Sequence, residues 1–179
     1  MPRFEDYSAG VTLNTTVYDT IRIAETGTGN RHTTVLKLTN TPISLTDDAS
    51  YMWGSVLLAT FPKGRILVEG VVVKDVYYDV LASTMAAADG GDFSLGSTAE
   101  EDGTQDRATD INLCPSTSLD PIGTAVDSAL AASAQIDGTA TATPIYFNSQ
   151  IDTADGSDLT EILGINGTIT ITWTNLGND

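Results

Sequence analysis

The sequence predicts an all-β protein: a two-sheet antiparallel sandwich of jelly-roll type, with an immunoglobulin-like sandwich as the alternative. Three observations predict it. Threonine is abundant, at 27 of 179 residues, and together with Val and Ile it forms the β-branched set that suits a pleated, half-buried surface. Apolar and polar residues alternate with a period of two in several separate stretches. These stretches are short, joined by crossing loops and not interleaved with helical segments, which favours a sandwich over a parallel sheet. The Cys…Trp…Cys spacing of antibody-type domains is missing, because Cys114 is the one cysteine.

Val11, Leu13 and Val17 lead into Ile21-Arg22-Ile23, and the turn-like Thr26-Gly27-Thr28-Gly29-Asn30 separates these from Val35-Leu36-Lys37-Leu38. An apolar run from Trp53 to Phe61 is stopped by the turn Pro62-Lys63-Gly64. Ile66 to Val80 is apolar on both faces, which predicts a central strand covered on both sides, and Gly70 within it predicts a bulge or bend. Leu81 to Ala88 reads as one or two helical turns or a loop. Phe93 and Leu95 alternate with Ser94 and Gly96, residues 97–110 form a polar, acidic loop, and Ile111 and Leu113 a short strand before Cys114-Pro115. Thr124 to Thr143 is rich in Ala, Ser and Thr with little bulk. It reads as a long irregular connection, with a short helix over 127–136 as the alternative.

Ile145-Tyr146-Phe147 is a strand core, and residues 152–158 form an Asp-rich turn. In the last element Ile169, Ile171 and Trp173 alternate with Thr168, Thr170, Thr172 and Thr174. A slip of one residue would put Ile and Trp in water, so the register is firmly specified. The preceding Asn166-Gly167 is either a type I′ hairpin turn or a glycine bulge within one long strand. The core is expected at Val71, Val73, Tyr146, Ile169, Ile171 and Trp173, with Trp53 and Phe147 also packing inward. Of Tyr77 and Tyr78, adjacent on one strand, only one faces out. Residues 1–30 read as an N-terminal extended arm and first strand, and residues 31–179 as a single β-sandwich domain.

The net charge is −16, from 24 acidic and eight basic side chains. That disfavours nucleic acid and anionic membrane as partners, since both need a basic surface. The imbalance is uneven. From Ala108 onward there is no positive side chain, so that segment faces water, counter-ions or a basic partner. No apolar run approaches the roughly 18–20 residues that span a bilayer, and Met1-Pro2-Arg3-Phe4-Glu5-Asp6 has no apolar h-region, so no secretory signal is expected.

The catalytic inventory is thin. His32 is the one histidine, at the start of a strand, where a structural or solvated role is expected. No serine sits in a Gly-x-Ser-x-Gly elbow, no Walker lysine or dinucleotide glycine motif is present, and Cys114 reads as a semi-buried, inert thiol. Metal sets with two His or two Cys are impossible. Asp152, Asp155 and Asp158 around a glycine are the one calcium candidate. Position twelve from Asp152 is Leu163, where an EF-hand loop needs a bidentate Glu, so an ordinary Asx-rich turn is expected there. Glu100-Glu101-Asp102 reads as a solvated loop. The chain is therefore expected to be no enzyme and to need no cofactor.

Three stretches resemble small structural proteins of tailed bacteriophages. One is Thr143-Pro-Ile-Tyr-Phe-Asn-Ser-Gln-Ile-Asp, followed by an acidic glycine turn and Gly167-Thr-Ile-Thr-Ile-Thr-Trp-Thr-Asn-Leu-Gly-Asn-Asp. The second is Pro62-Lys-Gly-Arg-Ile-Leu-Val-Glu-Gly-Val-Val-Val. The third is Gly91-Asp-Phe-Ser-Leu-Gly-Ser, with an acidic loop and Cys114-Pro-Ser-Thr after it. The resemblance covers residues 55–179 and is one of β-strand texture. It implies a head decoration (cement) protein with no catalytic residues. Such proteins sit on the outer surface of the virion capsid, are made in the host cytoplasm, commonly form homotrimers, and bind the major capsid protein so as to hold neighbouring subunits together. It also favours the bulge at Asn166-Gly167 over the hairpin. Residues 1–50 match less well. Arg3, Phe4 and Tyr7 are candidate capsid contacts from position alone, and the Lys and Arg residues of the N-terminal half are expected to face an acidic capsid surface. A carbohydrate- or receptor-binding β-sandwich module is the alternative, followed by a head–tail connector or tail component, and then an enzyme such as a glycoside hydrolase.

Overall fold

The computed structural model describes residues 10, 12–13, 20–48, 51–82, 90–101, 109–119, 124–130, 133–152 and 161–177. The regular elements among them are all strands: β1 (Thr12–Leu13), β2 (Ile21–Thr28), β3 (Arg31–Asp48), β4 (Tyr51–Thr60), β5 (Gly64–Ala82), β6 (Gly91–Gly96), β7 (Cys114–Ser118), β8 (Val126–Ala129), β9 (Ala134–Gly138), β10 (Pro144–Asp152) and β11 (Glu161–Asn175). Hydrogen-bonded neighbours follow the order β7-β6-β10-β4-β3-β11-β5-β8, with β1 on β4, β2 on β3 and β9 on β5.

Set aside β1, β2 and β9, and the antiparallel pairs nest from the outside inward: β3 with β11, β4 with β10, β5 with β8, β6 with β7. Rolling that nest brings β11 against β5 and β10 against β6. The result is a jelly-roll sandwich, with β3-β11-β5-β8 as one sheet and β4-β10-β6-β7 as the other. β3 belongs to both: Arg31 to Leu45 pair with β11, and Thr46 to Asp48 turn onto β4. The two ends of the path, β7 and β8, meet through side chains. The Cys114 thiol donates to Ser128 Oγ at 3.2 Å, and Thr117 Oγ1 lies 2.6 Å from the same oxygen.

The alternation in β11 does what its sequence requires. Ile169, Ile171 and Trp173 are wholly buried and the threonines between them half-buried. Trp173 stacks on His32 at 4.4 Å, meets Phe61 edge-on, and donates its indole N–H to Thr34 Oγ1 at 2.9 Å. Val71 and Val73 are core residues as expected, but Tyr146 is not. With a period of two, Ile145 and Phe147 take the inward positions and Tyr146 the outward one, where it is half-buried. Phe147 stacks on Phe93 and meets Tyr78 edge-on. Trp53 likewise departs from expectation: it is half-buried, and its Nε1 has no hydrogen-bond partner among the described residues.

Asn166-Gly167 is a bulge within one strand. The pairing of β11 shifts there against β3 and β5 at once, and each neighbour answers with a residue of positive φ, Asn40 (47°) and Asp75 (54°). Asn166 ties the three strands at that level. Its Nδ2 donates to Asn40 Oδ1 and Asp79 Oδ2, both at 3.0 Å, and its Oδ1 accepts from the Asn40 amide. Gly167 itself has φ 143°, and a Cβ there would stand 2.8 Å from Val76 Cγ2.

Three further expectations are corrected. β5 is central in its sheet but covered on one face: Val72, Lys74 and Glu69 stand exposed while Val71, Val73 and Val76 are buried. Glu69, next to Gly70, is the extra residue of a second bulge. Residues 126–138 are neither an irregular connection nor a helix but two short strands, β8 and β9, laid end to end along one edge of β5. An edge strand buries one half-face only, so small side chains suffice. Finally, the strand expected at Ile111 to Leu113 begins at Cys114 instead. The expected helix-or-loop segment lies outside the described residues beyond Ala82.

Candidate interaction face

The strand register places side chains in transverse rows on the outer face of the sheet built by β2, β3, β11, β5, β8 and β9. One row is Arg22–Lys37–Thr168–Lys74, the next Ala24–Val35–Thr170–Val72–Ala129, the next Thr26–Thr33–Thr172–Gly70. Adjacent strands lie about 4.8 Å apart, so a row from β2 to β5 spans about 14 Å. The face is open. Arg22, Ala24, Lys37, Val72, Lys74 and Ala129 are exposed, and Val35 and the threonines of β11 half-buried. Val72, at 43% exposure, is one of two exposed large apolar side chains among the described residues.

Five of the chain's eight basic residues project here: Arg22, Arg31, Lys37, Arg65 and Lys74. Three have acidic neighbours. Arg31 grips Glu69 through Nε and Nη2, the latter at 2.7 Å. The Thr174 hydroxyl and then Arg31 hold the Glu69 carboxyl below its ordinary value. Lys74 meets Asp127 at 2.5 Å, a contact that raises the lysine and lowers the aspartate. Arg65 stands opposite Asp137, whose carboxyl is lowered chiefly by the Thr139 hydroxyl. Arg22 and Lys37 differ. They are direct cross-strand partners, and neither has an ion pair among the described residues. Like charges placed directly opposite destabilise a sheet.

Among the described residues, β4, β6, β7, β10 and the loop segments packed on them carry acidic side chains and no basic one. Residues 97–101 and 109–112, the root of the acidic loop, fold over the outward side of β10 and are fastened there by Asn148. Its Oδ1 accepts from Ser55 Oγ (2.7 Å) and the Glu100 amide (3.1 Å), and its Nδ2 donates to the Thr98 and Asp110 carbonyls. Gly96 lets the loop return this close, since a Cβ there would meet the Asp110 backbone at 2.4 Å. The Thr98 hydroxyl donates to the Asp110 carboxylate at 2.5 Å. Glu100 and Asp110 are buried in this root and Glu101 is exposed.

The sequence-derived site residues fall as follows. His32 is buried at the open end of the sandwich, its Nδ1 2.8 Å from Glu25 Oε1 and its ring on Trp173. It packs on Trp173, and among the described residues no serine hydroxyl bonds to it. Cys114 is fully buried, more than expected, and burial pushes its thiol above the ordinary value. Asp152 ends β10, while Asp155 and Asp158 lie outside the described residues. Among those described, no group of three or more His, Cys, Asp or Glu is placed to hold a metal. Arg3, Phe4 and Tyr7 also lie outside them. The Arg22–Lys37 pair was legible only once register was known, since fifteen positions separate the two. The chain matches no family model and no curated protein.

Proposed function

We propose that this is a non-enzymatic virion structural protein that decorates and stabilises the outer capsid shell of a tailed phage. It binds the major capsid protein and associates with itself as a homotrimer on the particle surface. The observation that carries this reading is the opposition of the two faces. One is hydroxylated and carries five of the eight basic side chains, and the other is covered by an acidic loop root, in a chain whose net charge is −16. An open sheet face suits a broad subunit surface, and symmetric repetition multiplies modest contacts. The resemblance in strand texture read from the sequence of residues 55–179 points the same way.

The test is the copy number of the chain in purified particles relative to the major shell protein. Comparable numbers are expected. A few copies per particle would move the protein to the tail or connector, and none would end the reading. Glycan binding is the second reading. A depression of 360 Å³ lined by Thr26, Thr28, Arg31, Thr33 and Thr172 offers hydroxyls and a guanidinium to a sugar. A glycan array decides it.

A further inference from the structure

We infer that the outer face of the β2-β3-β11-β5-β8 sheet is the docking surface and that its occupant is an acidic protein surface. The proposal rests on the decoration reading for where that surface is found, namely on the shell. Its chemistry follows from the face itself.

The first argument is the distribution of charge. In a chain with three times as many acids as bases, most of the bases share one face. There Arg31, Lys74 and Arg65 have acidic neighbours, and Asp75 also lies beside Lys74. Glu69, Asp75, Asp79, Asp127 and Asp137 stand exposed on the same strands, so the face as a whole is close to neutral, and its local excess of positive charge is the Arg22–Lys37 pair, which has no ion pair among the described residues. The second argument is the conflict they represent. Two cations directly across a ladder repel, and a Thr or Glu at either position would relieve the strain. Local rules broken without local compensation mark functional positions. An incoming carboxylate bridging both supplies the missing compensation, and it gains most from the guanidinium, which takes carboxylates bidentately.

The third argument is the row next door. Ala24, Val35, Thr170, Val72 and Ala129 make an apolar and methyl-bearing strip across five strands, flush with the cations. An interface with a central apolar strip and a charged rim has the anatomy of a specific protein contact. Nucleic acid fits poorly, because a chain of −16 repels a polyanion beyond this one face. The acidic loop root on the opposite sheet makes that side the more negative one, so an acidic partner is steered toward the Arg22–Lys37 side before contact.

The experiment uses the full chain and particles stripped of it. Arg22→Glu replaces a repelling pair with an attracting one, so this variant is expected to melt no lower than wild type while its affinity for stripped particles falls about tenfold at low salt. Arg22→Glu with Lys37→Glu is expected to abolish co-sedimentation, and Lys63→Glu, exposed in the β4–β5 turn, to leave it unchanged. Wild-type binding should weaken steadily with added NaCl. Unchanged binding by the double variant, with wild type bound, overturns the docking face and leaves decoration standing.

A second probe separates the two failures. A short acidic peptide, tetra-L-glutamate, small enough to lie within the face, is titrated into the isolated protein and followed by amide chemical shifts. Shifts at Arg22, Lys37 and Val72 support the chemistry of the face even where wild type binds no particle, the outcome that sinks decoration alone. Shifts confined elsewhere, or none, overturn the inference. So does salt-sensitive self-association lost in the double variant, which would make a second copy the occupant.

Discussion

Trp173 and Thr34 offer a sharp test of how the roll is held. The indole is wholly buried, and its N–H reaches one acceptor, Thr34 Oγ1 at 2.9 Å, across the β11–β3 pairing. Thr34→Val keeps the shape and removes the acceptor. A buried donor left without a partner costs about 1–3 kcal/mol, and a chain of this size shifts its Tm by about 2–4 °C per kcal/mol, so a fall of roughly 4–8 °C is expected for a cost near 2 kcal/mol. Trp173→Phe removes the donor, opens a cavity beside His32 and Phe61, and is expected to cost about 2–4 kcal/mol, within the range of large core truncations. The double variant removes both halves of the hydrogen bond. It should be less destabilised than the sum of the singles by about 1–2 kcal/mol, because no unsatisfied polar group remains. The assay is urea unfolding followed by circular dichroism, which does not depend on the tryptophan signal. Single variants that add to within about 0.5 kcal/mol would refute the claim that this bond is satisfied and buried.

Three other outcomes are expected. Asn148→Ala should destabilise the fold by about 2–4 kcal/mol and speed hydrogen exchange at the Glu100 amide; unchanged exchange there would show the loop root is held by something else. Burial pushes the Tyr78 hydroxyl, bonded to Ser149 Oγ at 2.7 Å, above its ordinary value. The folded tyrosine therefore stays neutral while the unfolded one ionises near pH 10. Its stabilisation is complete below that pH and is lost above it, by at most about 1.4 kcal/mol per pH unit. Tyr78→Phe should flatten that alkaline decline, and an unaltered slope would count against it. The Cys114 thiol should resist a chromogenic disulfide reagent at neutral pH until urea unfolds the chain; prompt labelling of the native protein would show that the β7–β8 seam is open.

The legible parts of the fold were those where one face must be bulky. Thr168 to Thr174 declared its period and phase because every alternate residue is Ile, Trp or Thr. Ile145-Tyr146-Phe147 declared a strand but not its phase, since all three residues are large, and Tyr146 was assigned to the wrong face. Ile66 to Val80 misled for a related reason. Val72 is apolar yet exposed, so an outward valine imitates a second core. β8 and β9 were invisible because an edge strand over an already complete core asks for little bulk, and Val126, Ser128, Ala134 and Ile136 supply what is needed. The row of basic side chains was illegible for a different reason. It is a property of register, and Arg22, Lys37 and Lys74 become neighbours only after β2, β3, β11 and β5 are aligned.

The seam between β7 and β8 carries a mechanical consequence. Elsewhere around the roll, parting two neighbours means tearing a ladder of backbone bonds. Along this one line a thiol and two hydroxyls do the fastening. Under tension applied across the roll the wall yields there first, as a slit, with both sheets still whole on either side. Once the load is released the same three groups are in place to shut it again.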